Sequence, residues 1–166
     1  MNYLAMEKAL TARIEALDVA RSVLTVQDFL AAVPGDDKLP AVLVAYDGES
    51  IAAVGEGTPR AGRAVAARSY TVVQRWAVAV VTRNIRNSRA GDTAREQAGE
   101  VLSRLILGLS GWTPNGEIWQ PLVRGDASAP FYEGGKFFYP LGFSTRMEVT
   151  PDLLARPDAE LFDQGD

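Results

Sequence analysis

The side chains that most often carry enzyme chemistry near neutral pH are missing from this sequence. None of its 166 residues is a histidine or a cysteine. Histidine is the usual general acid or base and a common metal ligand, and cysteine supplies thiolate nucleophiles and metal ligands. Imidazole-dependent triads, disulfides and thiolate metal sites are therefore excluded. We predict that the protein is not an enzyme and uses no cofactor or metal.

Carboxylates leave one catalytic alternative open, a hydrolase that uses a pair of acids. Asp126 and Glu133 lie in the same turn-rich connection and could converge on a substrate. A concave pocket holding both side chains would support this hypothesis, whereas a flat surface would exclude it.

Three short segments come close to functional motifs and fail at the chemically decisive positions. Residues 57–64 have the glycine spacing of a phosphate-binding loop, but Arg63 and Ala64 replace the lysine and the hydroxyl residue. Residues 142–146 resemble a nucleophile elbow that lacks its closing glycine and an activating histidine. Residues 124–126 spell Arg-Gly-Asp, a cell-adhesion tripeptide that is also ordinary turn composition. We predict that residues 57–64 form a loop, that residues 142–146 lie inside a strand and that residues 124–126 form a turn.

Positive charge is concentrated in the middle of the chain. Between Arg60 and Arg104 lie nine arginines and three acids, a net charge of +6 in a chain whose total is −4, so the remainder carries −10. Four of the arginines are Arg83, Arg86, Arg89 and Arg95. Three interpretations stay open: a solvated loop, a subunit or partner contact, and nucleic-acid binding. The chain's pI of about 4.9 and its three lysines weigh against nucleic acid.

Aromatic residues crowd into a second region, from Trp112 to Tyr139. Most suit a core, but Phe131, Tyr132 and Glu133 fall in a Pro-Phe-Tyr-Glu-Gly-Gly segment with loop composition. Aromatic side chains in loops often anchor partners. Packing within the subunit and contact with a partner both remain open for them.

The hydrophobic pattern predicts the elements that position these residues. The expected order is a helix that starts near Tyr3 and ends between Asp18 and Ser22, strands at Leu39–Tyr46 and Ser69–Thr82, a second helix, and strands at Ile118–Val123 and Phe137–Val149. Thr93 and Glu96 fit a capping box at the start of the second helix, and Gly111 ends it. A loop follows the first strand, with an optional strand at Ile51–Val54.

The fold class expected from this order is α+β. We expect one sheet of four or five strands, mostly antiparallel or mixed, with the two main helices packed on it. Residues 1–150 form a single domain, and 151–166 form an acidic, peripheral C-terminal tail. The N-terminus has neither a basic start nor an apolar run, so we expect no secretory signal.

Part of the sequence resembles a known family. The residues that carry the resemblance are Trp119 to Arg124, Pro130 to Gly135 and Phe138 to Thr145, with the preceding helices and strands in matching order. They resemble the C-terminal region of Mu-like phage minor tail proteins, which are similar to phage tail-terminator (tail completion) proteins. The resemblance covers residues 1–150.

The resemblance implies a structural protein of the virion tail that is made in the host cytoplasm, from an active phage or a prophage. Such proteins form a ring, typically a hexamer, that caps the tail tube and presents the surface that joins the head. Its partners would be other copies, the tube protein, the head–tail connector and, in contractile tails, the sheath. DNA would only pass through the channel, with no membrane partner. We assign Arg83, Arg86, Arg89, Arg95, Phe131, Tyr132 and Glu133 to the interface. An adaptor domain unconnected with phage is the rival interpretation.

Overall fold

The computed structural model describes residues 2–31, 34–54, 69–83 and 88–157. Four helices, six strands and one turn of 3-10 helix lie within this part of the chain. In order they are α1 (Ala5–Ala16), β1 (Ser22–Thr25), α2 (Val26–Ala31), a 3-10 turn (Asp36–Lys38), β2 (Ala41–Val54), β3 (Tyr70–Arg83), α3 (Ser88–Leu109), β4 (Val123–Gly125), β5 (Phe131–Glu133), β6 (Lys136–Val149) and α4 (Pro151–Ala155).

The six strands form one mixed sheet in which three long strands lie side by side. The order is β1-β2-β3-β6-β4, and β5 also pairs with β6. β1 is parallel to β2, and every other pairing is antiparallel. The predicted α+β class and mixed sheet are thus confirmed, and the sheet gains short strands beyond the expected four or five.

β3 divides its side chains between the two faces of the sheet as the alternation predicted. Val72, Gln74, Trp76, Val78 and Val80 are buried on one face. This face packs against α1 and α3, whose buried stripes include Met6, Leu10, Leu105 and Leu109. Burial of these apolar side chains is the main force that holds the helices on the sheet.

A smaller cluster lies on the opposite face at one end of the sheet. Leu39, Ala41, Val81 and Phe138 are buried there, and Phe29 of α2 packs against them. The sequence pattern did not predict β1 or α2. Both are short, at four and six residues, and α2 depends on this contact.

The β3–β6 pairing runs without a break from Tyr70–Val149 to Arg83–Lys136. The predicted bulge near Pro140 and Gly142 is therefore wrong, while the alternative, a bend there, stays a prediction. Gly142 has a different role, because a Cβ atom there would collide with the backbone oxygen of Asp126. The glycine lets the chain that leaves β4 cross closely over β6.

Other boundaries differ from those expected. α3 begins at Ser88, so Thr93 lies inside the helix and the predicted capping box is wrong. β2 runs through the residues expected to form a loop and reaches Val54, with register shifts that follow Tyr46 and Ile51. At Ile118–Val123 the pairing consists of a single bridge between Trp119 and Met147, with β4 starting at Val123.

The segment expected to be a peripheral tail starts with a helix. Thr150 caps α4 by accepting a hydrogen bond from the Leu153 amide at 3.1 Å. Leu153 is buried and belongs to the main core. The first residues after β6 are therefore part of the packed body.

Glu49 ties β2 to the start of α1. The hydroxyls of Tyr3 and Tyr46 both donate to Glu49 Oε2, at 2.5 and 2.9 Å. Burial, followed by the bond to the Glu49 carboxylate, raises the pKa of Tyr46 to about 12, and the same causes raise the pKa of Tyr3 further.

The close approach at Gly142 can be tested with a matched pair of glycines. We expect Gly142→Ala to lower the free energy of unfolding by about 1–3 kcal/mol, because the added methyl group meets backbone that must shift. Gly125 lies opposite it, and a Cβ atom there has its nearest neighbour at 4.0 Å. Gly125→Ala should therefore change stability much less in urea denaturation. Equal losses of unfolding free energy in the two variants would contradict the close approach of the chain at Gly142.

The raised tyrosine pKa values predict a loss of stability in alkali. Above pH ~10 the unfolded tyrosines release protons that the folded protein still holds. The unfolded state then binds fewer protons, so the free energy of unfolding falls as the pH rises toward 12. Urea titrations at several pH values should show a shallower fall for Glu49→Gln than for the wild type. Glu117→Gln, at an exposed carboxylate elsewhere, should leave the slope unchanged.

Candidate subunit interface

The Pro130–Gly135 segment forms a β-hairpin instead of the loop that its composition indicated. β5 pairs with the start of β6, with Glu133 opposite Lys136. Gly134 and Gly135 connect the strands with φ values of +56° and +82°. Two residues with positive φ suit a two-residue hairpin turn, and glycine adopts that conformation without strain. The two glycines thus fix the position of the aromatic residues just before them.

The hairpin presents aromatic rings on both faces of the outer sheet edge. Phe131 stacks on Phe138 with ring centroids 4.8 Å apart, and Phe138 also meets Phe29 edge-on at 5.8 Å. On the other face Tyr132 lies 5.3 Å from Phe137. Phe131 and Tyr132 keep 43% and 53% of their surface exposed. The rings thus pack within the subunit and also expose apolar surface, and their contact with a partner stays a prediction.

The predicted arginine cluster is split between different elements. Arg83 ends β3 and forms an ion pair with Asp36, with 2.9 Å between Nη2 and Oδ2. Arg95 is exposed on α3. Arg86 lies outside the described residues, as does the side chain of Arg89, whose backbone is in α3. The expected basic loop at 83–91 is therefore shorter, because α3 begins within it.

Two further arginines join Arg83 around a cleft that the sequence analysis did not identify. The cleft consists of two adjoining hollows at the Arg83 end of the sheet, beside α3. Its lining residues are Val19, Arg21, Asp36, Leu39, Pro40, Thr82, Arg83, Gln97, Glu100, Val101 and Arg104. Arg21 and Arg104 are far apart in sequence, so only the fold brings them together. We call this feature the arginine cleft.

The near-miss motifs occupy ordinary structural positions where they are described. Residues 142–146 lie in the middle of β6, as predicted, while 57–64 fall outside the described residues. Arg124 lies on β4, with its guanidinium 5.6 Å from the Phe143 ring centroid and donating to the Gly142 carbonyl oxygen at 2.8 Å. The Arg-Gly-Asp segment thus begins as a strand anchored to its own subunit, and the predicted turn is wrong.

The proposed acid pair is not found in a concave pocket. Asp126 and Glu133 are both exposed, and neither lines the arginine cleft or the hollow beside Trp119. Within residues 2–31, 34–54, 69–83 and 88–157, three or more acids do not gather into a potential metal site. The helices of that part of the chain are too short or too polar to cross a membrane.

Comparison with known proteins identifies a family for most of the chain. The chain matches the family described as phage tail terminator protein over residues 1–152, and it belongs to that family. A search of curated proteins finds no match. Among solved structures it is similar to a chain of the "Virion of native gene transfer agent (GTA) particle", with 16% identity and a TM-score of 0.47. That alignment covers 82% of this chain and 84% of the other.

The family defines the protein as a structural component of the phage tail, with no enzymatic role. This confirms the resemblance drawn from the sequence and the prediction that the protein is not an enzyme. The family match also excludes the two alternative interpretations, a carboxylate-based hydrolase and an adaptor domain unconnected with phage. The protein is located in the virion tail.

Three aromatic substitutions distinguish rings that stabilise the core from rings that lie on the surface. Phe138 is 5% exposed, so Phe138→Ala should cost about 3–5 kcal/mol of unfolding free energy. Tyr132→Ala removes a half-exposed ring and should cost about 1 kcal/mol or less. Phe131→Ala should fall between them. Chemical denaturation measures all three, and a loss at Tyr132 as large as that at Phe138 would make the tyrosine a core residue.

Proposed function

We propose that this protein caps the phage tail tube as a closed ring, six subunits in the assembled tail, and forms part of the surface that joins the head. The observation that carries the proposal is the family match over 1–152, nearly the whole chain. The ring size and the capping role are those implied by the sequence resemblance.

The shape of the subunit supports a ring. The aromatic hairpin lies at one edge of the sheet, formed by β5 and β6, while the opposite edge is formed by the short parallel strand β1. These surfaces are chemically different. A contact between unlike surfaces of neighbouring copies is heterologous, and such contacts close into a ring when the rotation permits.

Phe131, Tyr132 and Glu133 are our candidates for the subunit contact. Their strand is held by its own hairpin, so little conformational entropy is lost when the rings are buried. Among the four predicted arginines, Arg95 is a candidate because its side chain is exposed on α3. Arg83 already has Asp36 as an intramolecular partner, which makes it a weaker candidate. Arg86 and Arg89 remain candidates for a neighbour's acids or for the channel lining.

The remaining assignments concern the partners in the assembled tail. The tube protein would contact one side of the ring and the head–tail connector the other, with the sheath as a further neighbour in a contractile tail. DNA would cross the channel without sequence-specific contacts. Assembly would take place in the host cytoplasm.

Electron microscopy of tail tubes tests the role of the hairpin. Tubes assembled from the cognate tube protein, mixed with wild-type protein, should carry a ring at one end. The double variant Phe131→Ala and Tyr132→Ala should reduce capped ends at least tenfold, because the exposed apolar anchors are lost. Leu107→Ala is the matched control, since Leu107 is 81% exposed on α3, away from the hairpin.

The outcomes separate the two parts of the proposal. Uncapped tubes with the wild-type protein would contradict the capping function itself. Normal capping by the folded double variant would leave the function standing and remove Phe131 and Tyr132 from the contact. Circular dichroism of the variant confirms that it is folded.

A further inference from the structure

The arginine cleft holds more positive donors than its own subunit uses. Arg21 Nη1 donates to the Asp37 carbonyl oxygen at 3.2 Å, and Arg104 Nη2 donates to the Leu17 carbonyl oxygen at 2.8 Å. A guanidinium carries five N–H donors, so each of these arginines keeps donors for an anionic group. Two acids, Asp36 and Glu100, also line the cleft, and Arg83 pairs with Asp36.

Four of the residues that line the cleft are apolar, and we call this part of the lining its floor. Val19, Leu39 and Val101 are buried, and Pro40 is half-buried. Apolar surface rimmed by guanidinium groups suits a segment that combines large apolar residues with carboxylates. Arginine favours such contacts because its planar group can bind a carboxylate through two hydrogen bonds.

The sequence that follows Pro157 has this composition. It reads Asp158-Ala159-Glu160-Leu161-Phe162-Asp163-Gln164-Gly165-Asp166, with four acids around one leucine–phenylalanine pair. The family match ends at residue 152, before this segment. We propose that the acidic segment 158–163 of one subunit docks in the arginine cleft of the next subunit, with Leu161 and Phe162 on the apolar floor. This inference rests on the proposed function, since it assigns one contact within the ring.

The geometry of the long strands favours docking between copies. α4 follows the end of β6 where Val149 pairs with Tyr70, whereas the cleft lies at the other end of β3, beside Arg83. Fourteen strand residues span about 43 Å. Within one subunit the segment would have to run extended along most of that length. A neighbouring copy can bring its cleft directly to the segment, and this head-to-tail contact is of the ring-closing kind.

Cross-linking between engineered cysteines tests the docking directly, because the natural chain contains none. Full-length Gln97→Cys places a thiol at the cleft, and full-length Asp163→Cys places one on the segment. The two single variants are mixed, treated with a short bismaleimide and analysed by denaturing electrophoresis and peptide mass spectrometry. We expect a covalent dimer joined through residues 97 and 163. Ser110→Cys, exposed at the far end of α3, replaces Gln97→Cys in the control mixture and should give at least fivefold less dimer.

Charge substitutions establish the basis of the contact. Arg21→Gln combined with Arg104→Gln should lower the 97–163 dimer at least fivefold, while Arg146→Gln, at an exposed arginine away from the cleft, should not. Because Arg21 and Arg104 also bind backbone oxygens, a second variant leaves the cleft intact. Asp158→Asn with Glu160→Gln should lower the dimer to the same extent.

Three results would overturn the inference. The first is a 97–163 dimer no more abundant than the dimer in the Ser110→Cys control mixture. The second is a dimer that neither set of charge substitutions reduces. The third concerns one chain that carries both Gln97→Cys and Asp163→Cys and forms the cross-link only within itself. Capping of tubes is scored separately. Capped tubes without the cross-link would refute the docking and leave the proposed function intact, whereas uncapped tubes would refute the function.

Discussion

The pairing of β3 with β6 is the interaction on which the rest of the structure depends. It runs for fourteen residues without a register shift and places Trp76 and Phe143 side by side on the helix-covered face. A slip of one residue would turn each strand's buried side chains to the opposite face. The burial of the core therefore fixes the register. The register in turn fixes the outer hairpin, because β5 aligns on the first residues of β6.

Both candidate contact features lie at the same end of this strand pair. The hairpin is aligned where β6 begins, and the arginine cleft is lined by Thr82 and Arg83, where β3 ends. α4 follows β6 at the other end, where Val149 pairs with Tyr70. A subunit with unlike surfaces at its two ends is suited to repeating contacts with copies of itself. This agrees with a protein that has no imidazole or thiol and belongs to a family of tail components.

The sequence predicted the elements that carry a strong periodic signal. The alternation in β3, the apolar stripe of α1 and the glycine that ends α3 all lie where expected; Gly111 has a φ of +79°. These signals are local, since each depends on neighbours within a few residues. The absence of histidine and cysteine indicated a protein that is not an enzyme, and the family match confirmed this prediction.

The features that were missed depend on contacts distant in sequence. β1 and α2 are too short for a periodic pattern and are stabilised by β2 and by Phe138. β5 is an exception, because its partner follows after two residues and the Gly134-Gly135 pair is a local hairpin signal that the loop prediction overlooked. Arg21 and Arg104 are 83 positions apart, so nothing local indicated their shared cleft. Thr93 had the spacing of a cap, but α3 begins at Ser88 even though Gly91 and Asp92 are poor helix formers.

Hydrogen–deuterium exchange of the free subunit and of protein bound to tail tubes tests most directly whether copies meet through unlike surfaces. The account predicts that amide protons become more protected at two separate places. One is the end of the sheet that carries both the hairpin and the arginine cleft, and the other is a second surface away from that end. Protection confined to one self-complementary patch would indicate a two-fold dimer and contradict a ring. Unchanged exchange throughout the chain would show that the protein does not bind the tube.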